Sequence, residues 1–451
     1  MINCLTHTVL ERNGLYNLQE KSLYKTWLFK KFPQTNLLTV SGKTLSVVDP
    51  GRRNDYEGPD FKDAQVFING KLQTGDVEIH INNNDWYTHR HHEDPAYNSV
   101  ILHVVVDSTS EPTIRTQANM TVPVFVMPPV NEPNPIVANC LSWNGINEIA
   151  GVAVFAKFAD IRFQRKGLFI KKEIIHNSAN HTFYRLILDG MGYSQNRESF
   201  KSLADQIPLS KVYKILDITE TSDRIATLEA ILLGSAGFID EPYSKYIRAE
   251  TEYFQGITNR WVQLRHRFDL PTLHLRWHYA GIRPANFPSR RLIALAQIIN
   301  KFYPDEPAQL WSNLVSTHSG FKPVINWMSD YFQQPAGMWK NHPLLKNFRG
   351  NVLLGSGRIM DMISNLFLPF SWAVGSLQNN GAIMDSIITL SRKIPRGEIP
   401  SIISRWTAGF NLPDRFFTKN YLVQGAIELH HSFCGLELCI LCPLEDYADK
   451  E

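Results

Sequence analysis

The dipeptide Asn69-Gly70 lies between two apolar runs, and it restricts the fold of this chain more tightly than any other local feature. Asn-Gly suits a two-residue type I′ hairpin, because both central residues of that turn take positive φ. The spacing therefore predicts paired antiparallel strands near 62–68 and 71–82. In the second, Val77, Ile79 and Ile81 alternate with Glu78, His80 and Asn82. A period of two sends the apolar set to one face and the polar set to the other, so Glu78 and His80 project side by side. Gly58-Pro59 fixes the approach to the first strand, and Asp60 follows as a carboxylate near the sheet end. If Ile68 pairs with Lys71, Asp60 falls opposite Ile79, on the wrong face. One extra residue in the second strand repairs the pairing. Gly75 is the predicted bulge, since bulges use glycine and occur beside active sites.

Two carboxylates and an imidazole in one neighbourhood suit a hard divalent cation, Mg²⁺ or Mn²⁺, with a base beside its water. The arrangement resembles the catalytic core of the PD-(D/E)XK nuclease superfamily, with Pro59-Asp60 as its first element and Glu78-Ile79-His80 as its second. His80 stands where that superfamily usually has lysine. The resemblance implies an N-terminal α/β domain with a mixed sheet, a metal on Asp60 and Glu78, catalysis by Asp60, Glu78 and His80, and DNA or RNA as substrate. The plainer reading of the same residues is a turn cap at Asp60 and a solvated strand residue at Glu78. Just beyond, DWYTHRHHEDPAYN holds His89, His91, His92 and Asp94 without clean periodicity, a second candidate group, suited to zinc or manganese. His103, inside the apolar run SVILHVVVD, reads as a satisfied core histidine of a central strand.

Five cysteines in 451 residues are no disulfide framework. Cys434, Cys439 and Cys442 stand at Cys-x4-Cys-x2-Cys spacing, which suits zinc or an iron-sulfur cluster with Cys140 or His430 as fourth ligand; three buried thiols are the alternative. No apolar run reaches membrane-spanning length, and MINCLTHTVLERNGLY lacks the features of a secretory signal, so a cytoplasmic protein without membrane partners is expected. A net charge of +3 leaves any nucleic-acid affinity to local clustering.

The Pro-rich NEPNPIVANC reads as a boundary between a domain of residues 1–135 and a mostly helical one of residues 145–451. In the latter, Lys157, Arg162, Arg165, Lys166, Lys171 and Lys172 set against Phe155, Phe158, Ile161, Leu168 and Phe169 predict a basic amphipathic helix. Farther on, Arg260, Arg265, Arg267, Arg276, Arg283, Arg290 and Arg291 alternate with Trp261, Trp277 and Tyr279. Such interleaving serves strand-tracking grooves, with Arg283, Arg290 and Arg291 as candidate substrate contacts; arginines packed on aromatic faces are the alternative.

The ordered motifs GPDF, GDVEIH, DW, YNSVILHVV, LEAILLGSAGF, RPANFPSRR and the terminal cysteines together resemble an uncharacterised bacterial family of the DUF2851 type, over nearly the whole chain. That resemblance implies no activity. Three functions follow from the residues: a metal-dependent nuclease or phosphodiesterase, a non-catalytic nucleic-acid-binding or scaffold protein on a degenerate nuclease-like fold, and a metallohydrolase built on the His/Asp group. The oligomeric state is not encoded in any of these patterns.

Overall fold

The protein is described here from a computed structural model. It describes residues 20–128 apart from 55–57 and 108–110, 145–239 apart from 194, 252–335 apart from 280, 281 and 319, and 352–400 apart from 399. It also describes 416–434, 442–444 and isolated residues 339, 403, 407, 412 and 447. The chain divides into two units, Met1–Asn139 with His430–Glu445 and Cys140–Leu429 with Asp446–Glu451.

Among the described residues, the first unit holds a mixed eight-stranded sheet. Its strands are β1 (Leu37–Leu38), β2 (Thr44–Asp49), β3 (Arg52–Arg53), β4 (Phe61–Ile68), β5 (Lys71–Ile79), β6 (Val100–Val105), β7 (Thr113–Arg115) and β8 (Thr121–Val126). The order is β1-β2-β4-β5-β6-β8-β7, with β3 on the free part of β4. β2, β4 and β5 form an antiparallel meander, whereas β6 runs parallel to both β5 and β8. A parallel return needs a crossover, and residues 80–99 supply it with α1 and two 3-10 turns, taking α1 as Asp85–Thr88.

The Asn69-Gly70 turn forms as its sequence demands, with φ of 51° and 77°, and Ile68 faces Lys71. The bulge, however, lies on the other strand. Ala64 pairs with Gly75 and Phe61 with Val77, so the extra residue is in β4, at Lys62–Asp63, where Asp63 takes φ +59°. The buried Asp76 carboxylate holds the bulge, accepting from the Asp63 N–H at 3.2 Å, the Lys62 ammonium at 2.8 Å and the Ser99 hydroxyl. Gly75 is needed for a different reason: a Cβ there would sit 2.7 Å from the Ser99 carbonyl and 2.4 Å from the Ile101 side chain, where β6 closes in. The shift still brings Asp60 level with Glu78, as the site requires.

Alternation along the strands builds a core on each side of the sheet. Val66, Ile68, Val77, Ile79, Leu102 and Val104 face one side, with Tyr24 and Trp27 from a helix over Glu20–Leu28. Val100, Val105, Val122 and Val124 face the other, under Trp86 and Tyr97 from the crossover. Glu78, His80 and His103 belong to the second side by parity.

The second unit is largely helical. Its longest helix, α2 (Glu148–His176), begins at an Asn147 side chain that accepts from the Ala150 N–H. It packs along α3 (Leu368–Leu377), where a Cβ on Gly167 would lie 2.3 Å from the Trp372 ring. The inward stripe of α2 is Phe155, Ala159, Arg162, Phe163, Gly167 and Ile170. Ile161, Leu168 and Phe169, expected on the apolar face, are exposed. Arg162 turns inward because a buried carboxylate, Glu428 of α4 (Asn420–Ser432), is there to receive it. Gly234 receives the Trp261 ring, which would lie 2.1 Å from a Cβ. Among the described residues no helix is long and apolar enough to cross a membrane.

Candidate metal centre

Glu78 and His80 leave β5 on one face, two residues apart, as the period-two pattern dictates. His89 and His91 come from the crossover. Asn82 N–H donates to the Asp85 carboxylate at 3.0 Å and starts α1; Arg90, at φ +62°, stops it and turns the chain so that His91 enters beneath the sheet. Trp86 and Tyr97 wall in the His91 ring, Tyr97 stacked at 3.8 Å between centroids and Trp86 edge-on at 5.4 Å.

Three imidazoles meet at one place, with a carboxylate beside two of them. His89 Nδ1 lies 3.2 Å from His80 Nε2. Glu78 Oε1 lies 3.5 Å from His80 Nε2 and 3.2 Å from His91 Nε2. His80, His89 and His91 each offer a ring nitrogen within 4.8 Å of the others. His80, His91 and Glu78 are buried, while His89 is exposed, so the cluster meets solvent on its His89 side. The other nitrogen of His80, Nδ1, is 2.9 Å from Nε2 of the fully buried His103.

Burial, reinforced by the neighbouring rings of His103, His91 and His89, pushes the His80 pKa down to about 2. Burial and His91 push His103 down to about 3. Both rings are therefore neutral at physiological pH, which leaves each with a lone pair for a ligand or a hydrogen bond. Three imidazoles beside one carboxylate suit Zn²⁺ and other late divalent metals better than Mg²⁺, which prefers oxygen donors. The residues present thus fit a metal of the zinc type, with His103 fixing the ring of His80 from behind.

The two groups foreseen as separate each contribute half. Of the first, Glu78 and His80 enter the cluster, while Asp60 adjoins it and is directed elsewhere. One Asp60 oxygen accepts from the Tyr24 hydroxyl at 2.7 Å, the other from the Ile79 N–H at 2.9 Å, and the Asp60 N–H donates to Glu78 Oε2 at 2.9 Å. Of the second, His89 and His91 enter. His92 packs on Tyr87 and approaches Glu93, and Asp94 caps the next 3-10 turn through the Ala96 N–H. His103 was foreseen as a satisfied core histidine, and its partner is His80 itself. Asp76, with no motif around it, was not anticipated.

The arginines and tryptophans foreseen as a substrate groove belong to the second unit. Arg283 is exposed ahead of a 3-10 turn. Arg290 and Arg291 are buried in the first turn of the helix Pro288–Phe302. Arg291 donates to the Asn286 side chain at 2.7 Å, the Tyr193 hydroxyl at 3.1 Å and the Leu353 carbonyl at 3.2 Å. Trp261 and Trp277 are also buried, the latter donating to the Ala236 carbonyl at 2.9 Å. Cys434 is half-buried just after α4 and Cys442 is buried, whereas Cys140 and Cys439 lie outside the described residues.

No curated protein and no solved structure matches this chain. A family profile does, over residues 20–398, and it spans the sheet, the histidine cluster and most of the helices. The chain accordingly belongs to the family described as "Protein of unknown function (DUF2851)".

Proposed function

We propose that the first unit is a metal-dependent hydrolase acting on phosphodiesters, with Zn²⁺ or Mn²⁺ held by His80, His89, His91 and Glu78. The observation that carries this reading is the meeting of three imidazoles from β5 and the crossover at one point with a solvent side, the Glu78 carboxylate lying beside His80 and His91. A divalent ion supplies two things to phosphodiester hydrolysis when bound: it acidifies a water and it neutralises charge on a phosphoryl oxygen. The protein's part is positional. His103 holds the Nδ1 side of His80, so that Nε2 faces the cluster. Asp60 is a positioning residue, tying the start of β4 to β5 at Ile79 and to the Glu78 carboxylate. The phosphodiester class is supported by the nuclease-like order of parts: an aspartate at the head of one strand, Glu-x-His on its antiparallel neighbour, then a parallel strand.

A second reading, a nucleic-acid-binding scaffold on a degenerate nuclease-like fold, is favoured by the Asp60 carboxylate, whose two oxygens are engaged by Tyr24 and Ile79. Hydrolysis of bis(p-nitrophenyl) phosphate and of single- and double-stranded DNA and RNA, with Zn²⁺ or Mn²⁺ added to chelator-treated protein, separates the two. We expect metal-dependent cleavage that His91→Ala and Glu78→Gln abolish. Binding of nucleic acid by metal-loaded protein that cleaves none of these substrates makes the scaffold the correct reading.

A further inference from the structure

Lys166 of α2 occupies an unusual position for a cation. Its ammonium bonds the Asn365 side-chain oxygen and meets no carboxylate among the described residues. The acid that acts on it, Glu428, is committed elsewhere: Arg165 takes both its oxygens, at 2.5 and 2.6 Å, and Arg162 reaches one at 3.3 Å. Burial, then Arg162, Arg197 and Arg165, hold the Lys166 ammonium well below its ordinary pKa. Its charged form is thus disfavoured for want of a counter-charge, which a bound anion would supply.

A cleft opens beside it. It is small and lies between α2, α4 and the segment leading into α3, lined by Arg162, Phe163, Lys166, Ser364, Tyr421 and Gln424. Ser364 and Asn365 belong to a π-helical turn, Ile363–Phe367, a distortion often found at functional sites. The Ser364 side chain is 8% exposed, and its hydroxyl has no hydrogen-bond partner. Asp160, the acid on the cleft wall, is paired with Arg392 at 2.6 Å. Hydroxyls, an amide, a guanidinium and an ammonium therefore surround a small cleft over the Phe163 ring.

We infer that this cleft binds a phosphate group, with Lys166 supplying charge and Ser364 a hydrogen bond. The group arrives either as inorganic phosphate or as a small phosphomonoester, since both present the same tetrahedral oxygens. A phosphate carries close to two negative charges and three strong acceptors, which answers both the uncompensated cation and the idle hydroxyl. A lone carboxylate answers less of either.

The inference does not depend on the hydrolase reading. Isothermal titration of the full chain in chelator-containing buffer, with inorganic phosphate, glycerol 3-phosphate and acetate in separate runs, tests it. One phosphate per chain is expected, weakened about tenfold in Ser364→Ala and by about ten- to a hundredfold in Lys166→Met. Lys172→Ala, on the exposed face of the same helix, and His91→Ala should bind as the parent protein does. Tighter binding of glycerol 3-phosphate than of inorganic phosphate identifies an ester as the occupant, and the reverse identifies the free ion. Binding no tighter than acetate, or unchanged binding in Ser364→Ala, overturns the inference. Ser364→Ala removes only one oxygen, so it decides the matter even if Lys166→Met fails to fold.

Discussion

Removing His89 offers the sharpest test of the metal centre, because His89 is its exposed member. The fold does not lean on it: Trp86, Tyr97 and His103 pack the buried rings, and His89 sits at the solvent side. His89→Ala should therefore melt close to the parent protein when metal is stripped. With Zn²⁺ at a hundred times the dissociation constant, binding to the native state alone adds about 2.7 kcal/mol. For a unit of this size that is roughly 5–10 °C in melting temperature. Loss even of an outer-shell partner costs about 10–100-fold in metal affinity, so loss of a donor imidazole should cost at least about 100-fold. The same Zn²⁺ then leaves the variant about 0.4 kcal/mol, near 1 °C. Differential scanning calorimetry of both proteins, with chelator and then with Zn²⁺, Mn²⁺ or Co²⁺, gives the answer. Equal shifts in parent and variant, or no shift with any of the three metals, refute the centre as described.

Two further outcomes are expected. Burial raises the carboxyl of Glu229, in the helix Arg224–Ser235, to about 7, with the Tyr253 hydroxyl donating to it at 2.8 Å. The folded state thus keeps a proton that the unfolded chain releases near 4.5. Stability should fall as pH rises from about 4.5 to 7 and level off above, by ~3 kcal/mol in all; urea unfolding of Glu229→Gln should lack this slope, and an identical slope contradicts the assignment. At the β4 bulge, Asp63→Val places a β-branched residue at φ +59°, costing roughly 1–3 kcal/mol, and should weaken metal binding by disturbing Asp60 against Glu78. Asp63→Gly should retain both stability and metal affinity, and a valine variant of parental stability shows that Asp63 does not set the register.

Much of the first unit was legible along the chain, since hairpin type and strand parity depend on neighbours in sequence. Asn69-Gly70 determined the turn and the Ile68–Lys71 pairing, and the alternation from Val77 to Asn82 placed Glu78 beside His80. Parity also required one extra residue between Asp60 and Glu78. Which strand carries it was decided only in three dimensions, by the Asp76 carboxylate gathering Lys62, Asp63 and Ser99 and by β6 pressing on Gly75. In the same way, His89 and His91 were visible as a cluster, but nothing local distinguishes them from His92. The left-handed Arg90 and the aromatic walls of Trp86 and Tyr97 select them, and the parallel strand β6 brings His103 behind His80. In the helical unit the sequence determined that helices form, whereas the inward face of α2 was chosen by tertiary charge. Glu428, more than 260 residues away and buried, takes both Arg165 and Arg162, and with Arg162 turned inward Ile161, Leu168 and Phe169 are left exposed.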